Sequence, residues 1–315
     1  MFKDSDFIES DAEALKSINL DKEAQYVDYK EKLILYDKNE VKSIDCNGNT
    51  VFSLNMKIKN CKIDSNYYID ILDKEKNKVY SIDAKGNFVF KENVPPETII
   101  YKSINEHTFF TVYKKNNKEY IKIQDEQKNV NTELEYKNKI TGVYNLDGKI
   151  LVSDIETRKN ISSNLVIYDE NGNQKNKLAF DNAIIDICVG KEYLYVVFLD
   201  NIVVLDFNLD KKSDIKIKEI NKISKTDNDY LYIIDKEKNL SYVEKLSYKK
   251  GKNTEKADEI DSINGSYIRY LKNSVYNKNG DKIMEYKQNI KDSIKIDSKT
   301  IAIIFNNYLE IVKIC

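Results

Sequence analysis

The sequence has no tryptophan, one histidine, two prolines and nine glycines in 315 residues. With His107 as the single imidazole, a His-cluster metal site is excluded, and any Ser/His/Asp arrangement would have to use it. Its setting, Asn105-Glu106-His107-Thr108, reads as a surface bend ahead of the apolar run FFTVY. The P-loop and the patterns G-x-G-x-x-G, G-x-S-x-G and H-E-x-x-H are missing, so nucleotide-dependent chemistry has no motif to rest on. No cofactor and no metal are expected. Cys46, Cys61, Cys188 and Cys315 stand far apart without a C-x-x-C, which suggests isolated thiols rather than a zinc site or a disulfide framework. Cys46 and Cys61 are the one pair close enough in sequence for a bridge to be considered.

Excess charge and long apolar runs are lacking too. Lys+Arg is 51 against Asp+Glu 52, a net charge of -1, so no overall field draws the chain to nucleic acid or to an anionic membrane. The longest apolar runs, residues 193–199 and 301–305, fall far short of the roughly 20 residues that cross a bilayer as a helix, so no direct membrane span is expected. The opening MFKDSDFIESDAEA is acidic and has no secretory-signal pattern. A chain whose anchor had been removed would read the same, so the compartment stays open: cytoplasmic as written, extracytoplasmic and membrane-anchored if an N-terminal helix once preceded it.

What is present is a repeat. Charged residues make up 33% of the chain, yet 23 Tyr, 11 Phe and many Ile and Val supply a core, which argues against disorder. Short alternating or doubly apolar runs are separated by Asp, Asn, Lys and Gly, the signature of strands and turns. The pentapeptide DKEKN occurs twice, at 73–77 and 235–239, each time after an apolar pair and before another strand-like run. It reads as a solvated hairpin turn, since Asp and Asn satisfy turn backbone with their own side chains. Asp37-Lys38-Asn39, Lys115-Asn116-Asn117 and Asp200-Asn201 occupy the same place in their repeats. A second turn, Asp/Asn-x-x-Gly-Asn/Asp, recurs at 45–49, 83–87, 169–173 and 277–281, spaced at close to whole multiples of about 36–43 residues, a propeller-blade period.

Taking Leu33, Tyr68, Thr108, Lys149, Tyr193, Tyr230, Tyr267 and Thr300 as second-strand markers counts eight repeats. The two DKEKN copies are four repeats apart, which on an eight-bladed ring would set them across the axis from each other. The last repeat stops one strand short, and residues 14–20 offer a strand to complete it and hide two sheet edges. Ile8, Ala12, Leu15 and Ile18 also have helical spacing, so a short helix over 9–20 is the alternative. Pro95 and Pro96 interrupt the pattern between the second and third repeats. The connections at 156–164 and 249–257 are unusually long.

Residues that could carry chemistry are diffuse. Carboxylates are so numerous that no glycosidase-like pair stands out, and without tryptophan any stacking on sugar would fall to tyrosines, which at strand positions serve first as packing. Asp206-Phe207-Asn208-Leu209-Asp210 begins like a calcium loop, but Lys211 and Ile217 occupy the positions that need Gly and Glu, which favours a plain turn. The lysines of 249–252 are neutralised nearby by Glu255, Asp258 and Glu259.

The repeat unit running from Tyr193-Leu194-Tyr195 through Asn201 to Leu205-Asp206, with turns such as YDENGN and IDAKGN, resembles the degenerate propeller repeats of quinoprotein-like and surface-layer-type families. The likeness covers most of the chain, but the repeat tryptophan of the quinoprotein enzymes, the Trp-Asp of WD repeats and the double glycine of kelch repeats are absent, so no cofactor or substrate carries over. The Lys/Asn/Ile/Tyr-rich texture resembles uncharacterised propellers of low-GC Gram-positive anaerobes, which implies an extracytoplasmic domain behind a membrane anchor.

These readings predict an all-β, eight-bladed β-propeller of four-stranded antiparallel blades, with a seven-bladed one as the alternative. It would form a single domain over 1–315, with an N-terminal arm at 1–13 and a closing strand at 14–20. The expected function is a non-enzymatic, monomeric scaffold that binds another protein or an envelope component and no nucleic acid. Loops bear function where scaffolds are rigid, so the candidate binding residues are Lys74, Glu75, Lys76, Asn77, Lys236, Glu237, Lys238, Asn239, Pro95 and Pro96. The alternative is a glycan-active hydrolase or lyase with carboxylates at the channel mouth.

Overall fold

A computed structural model describes residues 5–7 (backbone pairing only), 12–146, 148–158, 160–225, 230–251, 256–263 and 266–314. Every regular element among them is a β-strand, and the strands form eight antiparallel sheets in which neighbours in sequence pair in order, the eight-bladed propeller fold. Blades 1 to 7 occupy residues 25–55, 61–93, 98–136, 139–180, 186–216, 220–250 and 259–286, and blade 8 occupies 292–314 together with a strand from the N-terminus. Eight sheets exclude the seven-bladed alternative. Each of the eight second-strand markers lies within one residue of the start of an observed second strand, from Leu33–Asp37 to Thr300–Ile304. The chain forms two compact units of four blades each, residues 1–57 with 217–315, and residues 58–216.

Burial follows strand position. Second strands such as Ile69–Asp73 and Thr300–Ile304 are buried throughout. Third strands alternate: Glu40–Ile44 (EVKSI) and Lys78–Ile82 (KVYSI) bury the same Val, Ser and Ile. Outer strands such as Thr50–Asn55 and Phe88–Asn93 are mostly exposed. Between blades 3 and 4 the core is Phe110, Val112, Ile121, Ile123, Ile140, Val143, Ile150 and Val152. Burying each such side chain contributes about 1.5–3 kcal/mol, so Ile121→Ala, at a fully buried position, would cost about 2–5 kcal/mol.

One polar contact between blades is equally well defined. Asp70, on the second strand of blade 2, accepts the Ser81 hydroxyl at 2.6 Å, and also the Ser103 hydroxyl and backbone N–H of blade 3 at 2.7 and 2.9 Å. A buried carboxylate persists only when so bonded. Burial still pushes its pKa up to about 6, because the three donors offset only part of the desolvation.

The N-terminal segment closes blade 8, but with other bounds than 14–20. The strand is Ala12–Asn19, antiparallel to Tyr308–Ile314. Leu20 follows it and donates its N–H to Asn307 O at 2.8 Å. The helical alternative is overturned for these residues: Tyr308–Ile314 would otherwise be a bare edge, and strand pairing satisfies both backbones at once. Leu15 and Ile18 pack with Leu33, Ile44, Ala302, Ile304, Leu309 and Ile311, so the latch is apolar as well as hydrogen-bonded. Within the expected arm at 1–13, Ser5–Phe7 forms a fifth strand on blade 7 against Lys282–Tyr286, a pairing the sequence pattern did not suggest. Residues 1–4 and 8–11 lie outside the described residues, as do Lys159 and residues 252–255 of the two long connections, and Cys315. Cys46, Cys61 and Cys188 are free thiols, which removes the Cys46–Cys61 bridge.

The recurrent turn between third and fourth strands has one mechanism. In Asp45, Asp83, Asp169, Asp206 and Asn277, Oδ1 accepts the N–H groups two and four residues on. The fourth residue takes positive φ: Gly48, Gly86, Gly172 and Gly280 at 78 to 94°, and Leu209 at 66°. The calcium-like segment 206–210 is therefore another copy of this turn, with Asp206 Oδ2 held by Lys212 Nζ at 2.8 Å.

Candidate functional site

In a four-stranded meander the turn between second and third strands and the connection to the next blade emerge at the same end of the sheet. The expected binding residues all sit at such ends, though in two different units. In the unit of residues 58–216, Val94 N–H donates to Asn77 O at 2.9 Å, and Thr98 Oγ1 donates to Pro95 O at 2.6 Å. The structure thus brings Lys74, Glu75, Lys76 and Asn77 beside Pro95 and Pro96. In the other unit, Ala257 N–H donates to Lys238 O at 3.0 Å, Lys256 Nζ donates to Glu237 O and Asn239 Oδ1 at 2.7 Å each, and Lys238 pairs with Asp258 at 2.5 Å. Both pentapeptides therefore brace the following connection through their backbone carbonyls. What remains for a partner is the exposed side chains of Lys74, Glu75, Lys76, Lys236, Glu237 and Pro96.

The two copies do not share one turn. In the first, Asp73 pairs with Lys78 across a four-residue loop, Asp73 Oδ1 accepts the N–H groups of Glu75 and Lys76 at 3.1 Å, and Asn77 carries the positive φ. In the second, Asp235 N–H donates to Asn239 O, Asn239 N–H returns to Asp235 Oδ1 at 2.8 Å, and Lys238 carries it, as glycine does in the Asp-x-x-Gly-Asn turns.

The same end of the blades in residues 58–216 carries a feature that the loop reasoning missed. Ile161, Ile185 and Leu199 are 55%, 55% and 57% exposed. Ile184 N–H donates to Ser163 Oγ at 3.0 Å, which sets Ile185 beside the end of the 156–162 connection, and Ile185 N–H donates to Val197 O at 2.8 Å, which sets it beside Leu199. Three large exposed aliphatic residues of blades 4 and 5 thus stand near one seam, whose core includes the packed rings of Phe180 and Phe198. Ile99, 36% exposed, opens blade 3 on the same end. Isolated exposed aliphatics are ordinary, but a contiguous group of them marks a surface for binding. The signal was present in LDN (199–201) and in the Ile161 of a long connection, but their proximity is a property of the blade seam.

A second grouping lies on the first strands of blades 6, 7, 8 and 1, with Tyr270 from the second strand of blade 7, within the other unit. Lys222 bonds Glu259, Tyr26 donates to Asp292 Oδ2 at 3.2 Å, and Tyr270 donates to Asp261 Oδ2 at 2.7 Å. Burial pushes Glu259 up to about 7, with Asp292 and Asp261 adding repulsion and Lys222 opposing it. Burial likewise raises Asp261, and burial followed by Asp292 takes Tyr26 up to about 12. His107 is a bend residue whose N–H donates to Asn105 Oδ1 at 2.9 Å. Among the described residues no group of three or more His, Cys, Asp or Glu has metal-ligand geometry.

No family model matches the sequence, and no curated protein matches it. Solved structures are similar in fold. BamB from Moraxella catarrhalis superposes with a TM-score of 0.60 at 11% identity, over 96% of this chain and 99% of that one. The WD40 domain of SCAP from fission yeast gives 0.59 at 9% identity, over 96% and 97%. A catalytically inactive virginiamycin B lyase from Staphylococcus aureus, solved with quinupristin, gives 0.54 at 12% identity, over 95% and 99%. At such identities the likeness shows the β-propeller fold and nothing finer.

Proposed function

We propose that the chain is a protein-interaction scaffold whose partner, a protein of the cell envelope, docks on the turn-and-connection end of the blades in residues 58–216. The exposure of Ile161, Ile185 and Leu199 near one blade seam carries this reading. Aliphatic anchors on an end of the blades that also carries the exposed charges of Lys74, Glu75 and Lys76 fit the anatomy of a protein interface. The test is affinity capture with the native chain and with an Ile161→Asp/Leu199→Asp variant of unchanged circular dichroism. Loss of a partner that the wild type retains supports the reading; a partner set identical for both sinks it.

A second reading has its own observation. Glu259, held near neutrality beside Asp261 and Asp292, has the environment of a general acid, and a fold that also serves a lyase accommodates an enzyme. It predicts hydrolysis or elimination on a glycan substrate that Glu259→Gln abolishes. Turnover that survives that substitution, or none across a glycan panel, removes it.

A further inference from the structure

Residues 58–216 enclose a cavity of about 400 Å3 at the opposite end of the blades from the apolar seam. It lies where the first strands of blades 3, 4 and 5 finish and where the first turn of blade 2 folds over. Its size falls in the range of small-molecule sites, commonly about 300–1,000 Å3. The floor is apolar, made by Ile104, Phe110, Val143 and Val189. Two aromatic rings join it. Tyr67 is held at the rim by its N–H, which donates to Ser103 O at 3.2 Å. Tyr144 lies back along its own strand, and Gly142 is what permits this: a Cβ there would come within 2.5 Å of the Tyr144 hydroxyl.

The polar groups of the lining favour an anion. Lys102 approaches Asp64 Oδ2 only to 3.7 Å, while Asp64 Oδ1 already accepts the Ser65 N–H at 2.9 Å. Lys102 is the one charged side chain among the described lining residues, and the nearby Asp70 is taken up by Ser81 and Ser103. Asn145 uses its amide oxygen on the Gly148 N–H at 3.2 Å, which leaves its NH2 group to offer. A single cation and the Asn145 amide thus stand over an apolar, ring-lined floor.

We propose that this cavity binds a small planar aromatic carboxylate, with its ring between the tyrosines and the aliphatic floor and its carboxylate on Lys102. The probe is 2-naphthoate, titrated into the full chain and followed by ligand fluorescence anisotropy, with the cation 2-naphthylmethylamine as its counterpart. Saturable one-to-one binding of the anion is expected, with the amine weaker by about tenfold or more. Lys102→Met should weaken the anion by a similar factor and leave the amine unchanged. Asn145→Trp places an indole at an exposed rim position, does not disturb the buried strands, and should block both probes. Because the native sequence has no tryptophan, emission from the new indole reports directly whether it sits in the mouth. Absence of saturable naphthoate binding, equal affinity for anion and cation, or wild-type affinity in both variants would each overturn the assignment.

Discussion

Lys238 and Leu209 occupy the same position of the same kind of turn at the same φ, 66°, where four other copies use glycine, yet replacing them with glycine should affect stability very differently. A left-handed conformation costs a non-glycine residue about 1–2 kcal/mol. For Lys238→Gly this relief is offset by the greater unfolded-state freedom of glycine, about 0.5–1 kcal/mol. It is further reduced by the ion pair to Asp258, worth about 0–1 kcal/mol since both side chains are more than a third exposed. The net is a change near zero to about 0.5 kcal/mol stabilising. Leu209 is 6% exposed and packs with Leu178-adjacent core residues Val203, Leu205 and Phe198. Its truncation loses about 2–5 kcal/mol, so Leu209→Gly should destabilise by about 2–3 kcal/mol after the backbone relief. Urea unfolding followed by far-ultraviolet circular dichroism measures both. The reasoning fails if the two variants shift in the same direction by similar amounts.

Acidification from about pH 8 to pH 5 should stabilise the fold. Asp70 and Glu259 have folded pKa values raised to about 6 and about 7, so their contribution is full below their ordinary carboxylate values and is lost as pH rises through the raised ones. Asp169, held below its usual range chiefly by Lys175, acts oppositely but only as pH falls toward its ordinary value. Thermal melts across this range should flatten near pH 6 in Asp70→Asn and near pH 7 in Glu259→Gln; a wild-type melt independent of pH would refute the assignment. Deleting residues 1–19 should expose the edge of Tyr308–Ile314, raise amide exchange along it and promote aggregation. Unchanged exchange there would show that the latch is dispensable.

The blade count was legible because second strands are buried on both faces and so read as short apolar runs, and because the Asp-x-x-Gly-Asn turns punctuate them at a fixed spacing. The pentapeptide turns were legible as turns but not in kind. DKEKN accommodates the positive φ at either Asn77 or Lys238, and the connection that each copy braces accompanies the choice. Residues 12–19 satisfied both helical and strand periodicity, and the decision came from an unpaired edge nearly 300 positions away. The apolar seam and the cavity were not readable, since each gathers residues from separate blades whose packing no local pattern encodes.

The pairing of Ala12 with Ile314 has a consequence for biosynthesis. At about 5–20 residues per second, the strand Ala12–Asn19 waits roughly 15–60 s for its partner to leave the ribosome. Throughout that interval Leu15 and Ile18 have no native neighbour from blade 8, and the nascent chain must be kept from pairing with a stranger. Holding factors acting early in translation, rather than faster collapse of the later blades, would therefore govern the yield of folded molecules.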